Sequence, residues 1–261
     1  VVLVYNQSSY FADVSGGQGN AVAGLPYKYD GLVGRVSYNY DDRYLVELNA
    51  GYNGSENFAA GHRLGFFPAV SAGWVISKEK FIADNQGLSF IDHLKLRGSY
   101  GVVGNDQIGG DRFLYLSTWT ISDGEYTFGQ NRDGNSYNGA HEVQTGNPDI
   151  TWEKSKNANV GLDLSLWKNT LNLTADYFWN RRNNILLTSL LIPASLGLID
   201  IPPTNGGIID NHGFEVSLEH RKEFGKQGYS VRINASYAQN KILYYAEPDF
   251  TGREWQAKTG T

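Results

Sequence analysis

The sequence predicts an all-β fold, specifically an arc of a large antiparallel transmembrane β-barrel. Three features of its 261 residues lead to that prediction. Apolar and polar residues alternate with a period of two, the pattern of half-buried strands. Most predicted strands reach the ~9–11 residues that cross a bilayer, whereas strands of soluble proteins average ~5–6. Short and long connections alternate between the strands, as they do in outer-membrane barrels.

The alternation defines about nine strands. In the strand at 93–103, leucines and Tyr100 occupy one face, while Lys95 and Arg97 occupy the other. Helical spacing of apolar residues occurs only in the short segment 78–83. The predicted strands cover residues 1–10, 31–40, 43–54, 66–77, 93–103, 157–167, 170–182, 213–224 and 228–241.

The connections between these strands fall into two classes. Tight turns are predicted at Asp41-Asp42, at Lys168-Asn169 and at residues 225–227. Long polar loops occupy the opposite ends of the strands, and most connections in compact soluble domains are only ~4–6 residues. We therefore expect a single partial barrel domain over 1–261, with extracellular loops at about 11–30, 55–65, 104–156, 183–212 and 242–261.

Aromatic residues cluster towards both ends of the predicted strands, and aliphatic residues fill the middle. Such belts form where amphipathic rings meet lipid headgroups. The belt at the short-turn end contains Tyr38, Tyr40, Tyr44, Trp167, Phe224 and Tyr229. The belt towards the long-loop end contains Tyr52, Tyr100, Trp179 and Tyr237.

Composition narrows the function classes. The net charge of −5 argues against a nucleic-acid partner, which usually selects a basic surface. Cysteine is absent, so thiolate metal sites and cysteine nucleophiles are excluded. The five histidines lack metal-binding spacing, and no nucleophile elbow or phosphate loop occurs. We expect no enzyme activity, no cofactor and no metal. Because methionine is also absent, we expect a processed piece or a fragment.

Six segments resemble the middle of the barrel of SusC/RagA-type TonB-dependent outer-membrane transporters. The resemblance extends from about residue 28 to 245, in the order and spacing of that family. The sequence departs from the family at SENFAAGHR after Gly54, and at His212, where lysine is common. The segments are Lys28–Ser37 (KYDGLVGRVS), Arg43–Leu48 (RYLVEL), Gly65–Ile76 (GFFPAVSAGWVI), His93–Asn105 (HLKLRGSYGVVGN), Asn147–Asp163 (NPDITWEKSKNANVGLD) and Asn211–Leu218 (NHGFEVSL).

The resemblance implies a location, partners and a function. The complete family member would be a bacterial outer-membrane barrel of about 22 strands, typical of Bacteroidota, with a plug domain that lies outside this chain. A SusD-like surface lipoprotein would deliver an oligomeric nutrient, an oligosaccharide or a peptide, and TonB would supply energy. Outer-membrane lipid would surround the wall. A passive porin or a surface adhesin built on a similar barrel stays open as an alternative, as does a barrel enzyme completed by flanking segments.

Two sets of candidate site residues follow from this reading. Charged residues on the polar face would point into the lumen, where they contact the plug, line a substrate path or pair across strands. This set is Arg35, Glu47, Lys95, Arg97, Asp163, Asp176, Glu215, Glu219 and Arg232. Loop aromatic rings would stack on sugars or pack against the protein cap. This second set is Trp119, Tyr126, Tyr137 and Trp255.

Overall fold

The computed structural model describes residues 1–10, 26–107, 112–127, 136–188, 191, 193, 195, 203–225 and 227–261. These residues form strands and a few short helical turns. The strands are β1 Val2–Tyr10, β2 Tyr27–Tyr40, β3 Tyr44–Ser55, β4 Leu64–Val75, β5 Ile91–Asn105, β6 Thr118–Thr127, β7 Ser136–Gln144, β8 Glu153–Leu166, β9 Leu171–Thr188, β10 Pro203–Phe224 and β11 Gln227–Tyr244. The helix α1 spans Lys80–Ala83, and 3-10 turns cover Ile76–Lys78, Gln86–Leu88 and Glu254–Gln256.

Nine strands form one antiparallel sheet in the order β1-β2-β3-β4-β5-β8-β9-β10-β11. This confirms the predicted all-β arc. Strands β6 and β7 form a separate two-stranded sheet inside the predicted loop 104–156. This segment still connects two neighbouring wall strands, β5 and β8, but it carries a hairpin that the sequence did not predict. Strands β9 and β10 extend from both sides into the segment predicted as a loop at 183–212, as far as Thr188 and from Pro203. Register shifts in the β6–β7 pairing interrupt the alternation that would have identified this hairpin.

The predicted tight turns are present and use positive φ angles. Asp41 and Asp42 have φ of 54° and 49°, and Gly225 has φ of 60°. Positive φ at the centre of a hairpin matches the twist of the flanking strands, and Asp, Asn and Gly adopt it most readily. These residues therefore close the short end of the sheet. The remaining short-end connection, residues 76–90, contains α1 as the helical spacing predicted.

The register of the sheet is staggered from strand to strand. One row of paired residues begins at Tyr40 and Tyr44, directly beside the β2–β3 turn. The same row passes through Ala175, four residues after the start of β9, and through Val216, eight residues before the end of β10. The distance between this row and the short-turn end thus increases from strand to strand. Such a stagger means that the strands tilt relative to the barrel axis, which barrel closure requires.

The two faces of the sheet differ in polarity. One face exposes large apolar side chains, among them Ile233 at 61 % and Val160 at 56 %. Exposed apolar area of this extent marks an interaction surface, and on a barrel wall that surface is covered by lipid. Among the described residues, no helix is long and apolar enough to span a membrane.

A compact hydrophobic cluster lies at the long-loop end of the sheet. We call it the rim core, and it consists of Phe58, Phe67, Leu114, Ile150 and Trp152. Pairing between β4 and β5 stops at Ala69 and Gly101, whereas β5 stays paired with β8 as far as Asn105. The rim core packs where β4 and β5 separate, and a Cβ at Gly104 would lie only 2.0 Å from the Phe67 ring.

The rim core joins three connecting segments into one unit. The Trp152 ring contacts the rings of Phe58 and Phe67 at centroid distances of 5.2 and 5.1 Å. Its Nε1 donates to the carbonyl oxygen of Arg63 at 3.1 Å. The Asn205 side chain accepts from the Thr151 amide at 2.8 Å and so ties the same region to β10. The base of the β6–β7 hairpin is therefore fixed on the barrel wall.

Candidate functional site

The pairing register places all nine predicted lumenal residues on the same face of the sheet. Lys95 is paired with Asp163, and Asp176 is paired with Glu215. The others alternate in phase with these positions along their strands. A polar face opposite a lipid-facing one lines the lumen of a membrane barrel. The face is therefore the candidate functional surface, and the contacts within it decide which charges are available to a partner.

The most connected group on this face centres on Arg97. Its guanidinium donates to Asp176 at 2.6 Å from Nη2 and to Asp163 at 3.2 Å from Nε. The carbonyl oxygen of the Asn159 side chain lies 3.4 Å from Nη1. Gly161 makes room for this arrangement, since a Cβ there would lie 2.5 Å from the Arg97 Cζ. One cation on β5 thus compensates two carboxylates on β8 and β9.

Two further ion pairs lie on the same face nearer its edges. Arg35 donates from Nε to the Asn49 side chain at 2.9 Å and lies 3.7 Å from Glu47. At the other edge, Arg232 donates to Glu219 at 2.6 Å. These pairs are more exposed than the Arg97 group, so their contribution to stability is small, ~0–1 kcal/mol each.

Lys95 and Glu215 differ from the other seven lumenal charges. Neither forms an ion pair within the part of the chain that the structure describes. Lys95 lines a wall cavity of about 480 Å³ together with Arg97 and Glu47. Glu215 lines a second cavity of about 310 Å³ beside Asp176. These two charges are therefore free to pair with a group that enters the lumen.

Replacement of Arg97 by leucine is expected to destabilise the barrel by about 1–3 kcal/mol. The change leaves two half-buried carboxylates without their shared cation, which costs more than loss of an exposed pair. Urea unfolding of the complete protein in detergent, with an Arg97/Asp176 double-mutant cycle, measures the coupling. Arg232→Leu is the matched control, with an expected change under ~1 kcal/mol. Equal effects of the two arginine variants would contradict a special role for the Arg97 group.

A different polar cluster lies at the short-turn end, and sequence reasoning missed it. The Glu79 carboxylate accepts from the Tyr44 hydroxyl at 2.6 Å and from Trp74 Nε1 at 3.1 Å. These hydrogen bonds, with Arg43 at 3.5 Å, hold the pKa of Glu79 below its ordinary value. Aromatic rings at a membrane interface place their polar tips in just this way. In the sequence, only the aromatic belt pointed to this cluster. Its acidic member, Glu79, lies outside the strands, so the alternating pattern did not reveal it.

The predicted loop aromatics occupy two separate places at the long-loop end. Trp119 in β6 and Tyr137 in β7 share the hairpin and are exposed, Trp119 at 62 %. Tyr126 is paired with Tyr137 in the hairpin register, but its side chain lies outside the described residues. Trp255 is 77 % exposed in the segment after β11. The structure therefore presents outward-facing rings on a hairpin and on a second loop.

One carboxylate, that of Glu247, joins the beginning and the end of the loop that follows β11. Glu247 accepts from the backbone amides of Lys258 and Thr259 at 2.9 and 2.8 Å, and these bonds hold its pKa below the ordinary value. The Lys258 ammonium lies 4.4 Å from the centre of the Tyr245 ring. The chain then returns to β11, where Gly260 donates to the Ile242 carbonyl at 2.7 Å. Trp255 is thus carried on a loop with a defined closure.

This loop is expected to open at acid pH. Because the folded pKa of Glu247 is depressed, its stabilisation is present above the ordinary carboxyl pKa and is lost as pH falls through the folded value. Hydrogen exchange of the Lys258 and Thr259 amides, corrected for intrinsic rates, would rise across that range. Glu247→Gln should show fast exchange at neutral pH already and no further acid response. A variant with unchanged protection would contradict closure by Glu247.

Comparison with known proteins identifies the family of this chain. Residues 3–260 match the family described as "TonB dependent receptor-like, beta-barrel". The chain belongs to this family. A TonB-dependent receptor of Formosa agariphila is 34% identical over 219 residues, which cover 84% of this chain and 20% of the relative. The TonB-dependent receptor SusC of Bacteroides thetaiotaomicron is 28% identical over 212 residues, covering 80% of this chain and 20% of SusC.

Solved structures agree on the fold of this receptor barrel. The RagAB peptide importer in its 'open-open' state superposes with a TM-score of 0.71 at 23% identity, over 85% of this chain and 22% of that one. Together, the family match and the similarity to SusC confirm the predicted resemblance to SusC/RagA proteins, and the RagAB superposition agrees in fold. The receptor barrel is a protein of the outer membrane. The chain spans about a fifth of the length of the curated relatives that it matches.

Proposed function

We propose that this receptor barrel forms part of an active outer-membrane importer of an oligomeric nutrient, an oligosaccharide or a peptide. The observation that carries the proposal is the lumenal face, where Arg97 binds two carboxylates while Lys95 and Glu215 stay without an ion pair among the described residues. The two unpaired charges are those that a partner inside the lumen, such as a plug, would compensate. Membership in the TonB-dependent receptor family supports the same conclusion.

The plug is the first partner in this proposal. The nine lumenal charges would form the wall side of the plug contact, with Lys95 and Glu215 pairing directly with plug residues of opposite charge. The ion pairs of Arg35 and Arg232 are exposed, so they can exchange partners at little cost when the plug moves. TonB, acting on the plug, would supply the energy for that movement from the proton gradient of the inner membrane.

A SusD-like surface lipoprotein is the second partner. Trp119, Tyr126 and Tyr137 on the hairpin, and Trp255 on the closed loop, would contact either this cap or the ligand that it delivers. Exposed aromatic rings on a rigid support are typical of interface centres. Support for the assignment comes from the rim core, which fixes the hairpin base, and from Glu247, which closes the other loop. The proposal includes no covalent chemistry on the ligand.

Uptake by the complete transporter tests the function. Cells that express it would be supplied with fluorescent oligosaccharides or with labelled peptides, with and without a functional TonB. We expect uptake of one class of ligand, and loss of that uptake when TonB is inactivated. Uptake that continues without TonB would establish a passive porin instead. Surface binding without any uptake would establish an adhesin.

A further inference from the structure

A row of four asparagines crosses the lumenal face of the last four strands. In the pairing register, Asn157 of β8 lies opposite Asn180 of β9, which lies opposite Asn211 of β10. Asn211 in turn lies opposite Asn240 of β11. The same parity places the row on the face that carries Arg97 and Glu215, in the half of the wall towards the long loops. We call these four residues the amide row.

The amide row has hydrogen-bonding capacity that the described part of the wall does not use. Each side chain offers a carbonyl oxygen that accepts and an amino group that donates twice. Asn157 accepts one bond, from the Ser155 hydroxyl at 2.9 Å. The Oδ1 atom of Asn211 is buried and has no hydrogen-bond partner among the described residues. Buried polar atoms are rarely left in that state, and this oxygen becomes accessible to a new partner only when the Asn211 side chain rotates.

The four side chains line one cavity of about 260 Å³. The cavity also contains Arg182, whose charge is compensated by Glu153 at 3.3 Å. No carboxylate lines this cavity. A ligand here therefore meets mainly neutral donors and acceptors, together with one guanidinium whose charge is compensated outside the cavity lining. That chemistry suits hydroxyl groups, which both donate and accept.

The spacing of the row favours one kind of neutral ligand. Neighbouring strands lie ~4.7–4.9 Å apart, so the amides repeat at about that interval across the wall. This interval is close to the length of one sugar unit in an extended oligosaccharide. An extended peptide rises only ~3.3 Å per residue, so the spacing of its polar groups does not match the spacing between neighbouring amides of the row. The row is thus matched to a chain of sugar units running across the strands.

We propose that the amide row is a binding site on the lumenal wall for an uncharged oligosaccharide. Each asparagine would bond hydroxyl groups of one sugar unit. Asn211 would do so after a rotation of its side chain that brings Oδ1 to the cavity surface. The proposal rests on the importer function proposed above and narrows its ligand to the oligosaccharide class. The site would hold the ligand on the wall after it has entered the lumen.

Binding to the purified complete transporter tests the site. Isothermal titration would use three neutral hexasaccharides, a xylan, a mannan and a β-glucan fragment, and a tryptic digest of casein as the peptide probe. We expect wild-type protein to bind at least one hexasaccharide. The double variant Asn180→Leu/Asn211→Leu should weaken that binding by roughly tenfold, because two neutral hydrogen bonds are removed. Asn234→Leu, on the same face but nearer the short turns, should leave the Kd within about twofold.

Barrel folding is checked by heat-modifiable migration in gels. If the leucine pair does not fold, Asn180→Ser/Asn211→Ser replaces it, with weaker binding again expected. Hexasaccharide binding that is equal in the row variant and in Asn234→Leu would overturn the site while TonB-dependent uptake still supports the importer. Peptide binding that the row variant weakens, or the absence of any hexasaccharide binding, would overturn the oligosaccharide assignment. Uptake that does not depend on TonB would instead overturn the proposed importer function, and it would not test the amide row.

Discussion

Replacement of Ile150 by alanine is expected to destabilise the barrel by about 2–5 kcal/mol. Ile150 is fully buried in the rim core, and loss of a buried side chain of this size removes transfer free energy and leaves a cavity. Its neighbour Trp152 packs on two rings and binds a backbone carbonyl, so the surroundings cannot collapse into the space. Urea unfolding of the complete protein, followed by tryptophan fluorescence, measures the loss.

The same substitution should also loosen the β6–β7 hairpin. Leu114, at the base of the hairpin, belongs to the rim core, and Asn147 donates to its carbonyl at 2.9 Å. Hydrogen exchange in β6 and β7 should therefore rise more than in β9. Ile121→Ala is the matched control, because Ile121 is 78 % exposed on the hairpin and its loss should change stability by less than ~0.5 kcal/mol. Similar losses for both isoleucines would show that the rim core does not support the hairpin.

Replacement of Val216 by arginine is the second change with a large expected effect. Val216 lies on the lipid-facing side of β10, opposite Ala175 and Ala235 and eight residues from the short turn. An arginine near the middle of the bilayer on the lipid face costs about 2–4 kcal/mol. Leu48→Arg on β3, which is paired with Val36 and Val70, should cost a similar amount. Folding yield into lipid vesicles and the urea midpoint of the inserted barrel measure both effects.

The adjacent residues provide the controls for this prediction. Glu215 and Glu47 directly precede Val216 and Leu48 in the chain and point to the opposite, lumenal face. Glu215→Gln and Glu47→Gln change charge in a wet environment, so the loss of stability should stay well below that of the arginine variants. Comparable destabilisation by glutamine and arginine would mean that the two faces have been assigned the wrong way round.

The nine strands of the wall were predictable because their signal is local. In a strand, successive side chains point to opposite faces, so lipid on one side and polar lumen on the other select an alternating sequence. The run around Lys95 and Arg97 shows this pattern within a few residues. The β6–β7 hairpin gives no such signal, since its register shifts between Ile121 and Glu125 and neither of its faces is consistently apolar. It was therefore predicted as a loop.

The sequence by itself thus determined the strands, their two faces, the aromatic belts and the side on which each charge lies. Only the tertiary structure decided which of these residues meet. Arg97 reaches Asp163 and Asp176 across 66 and 79 residues of chain, and Asn57 bonds the Asp106 carbonyl across 49. Likewise, the amide row exists only through the relative register of four strands. The direction of a side chain is a property of its own backbone, whereas register depends on turns, bulges and neighbouring strands together.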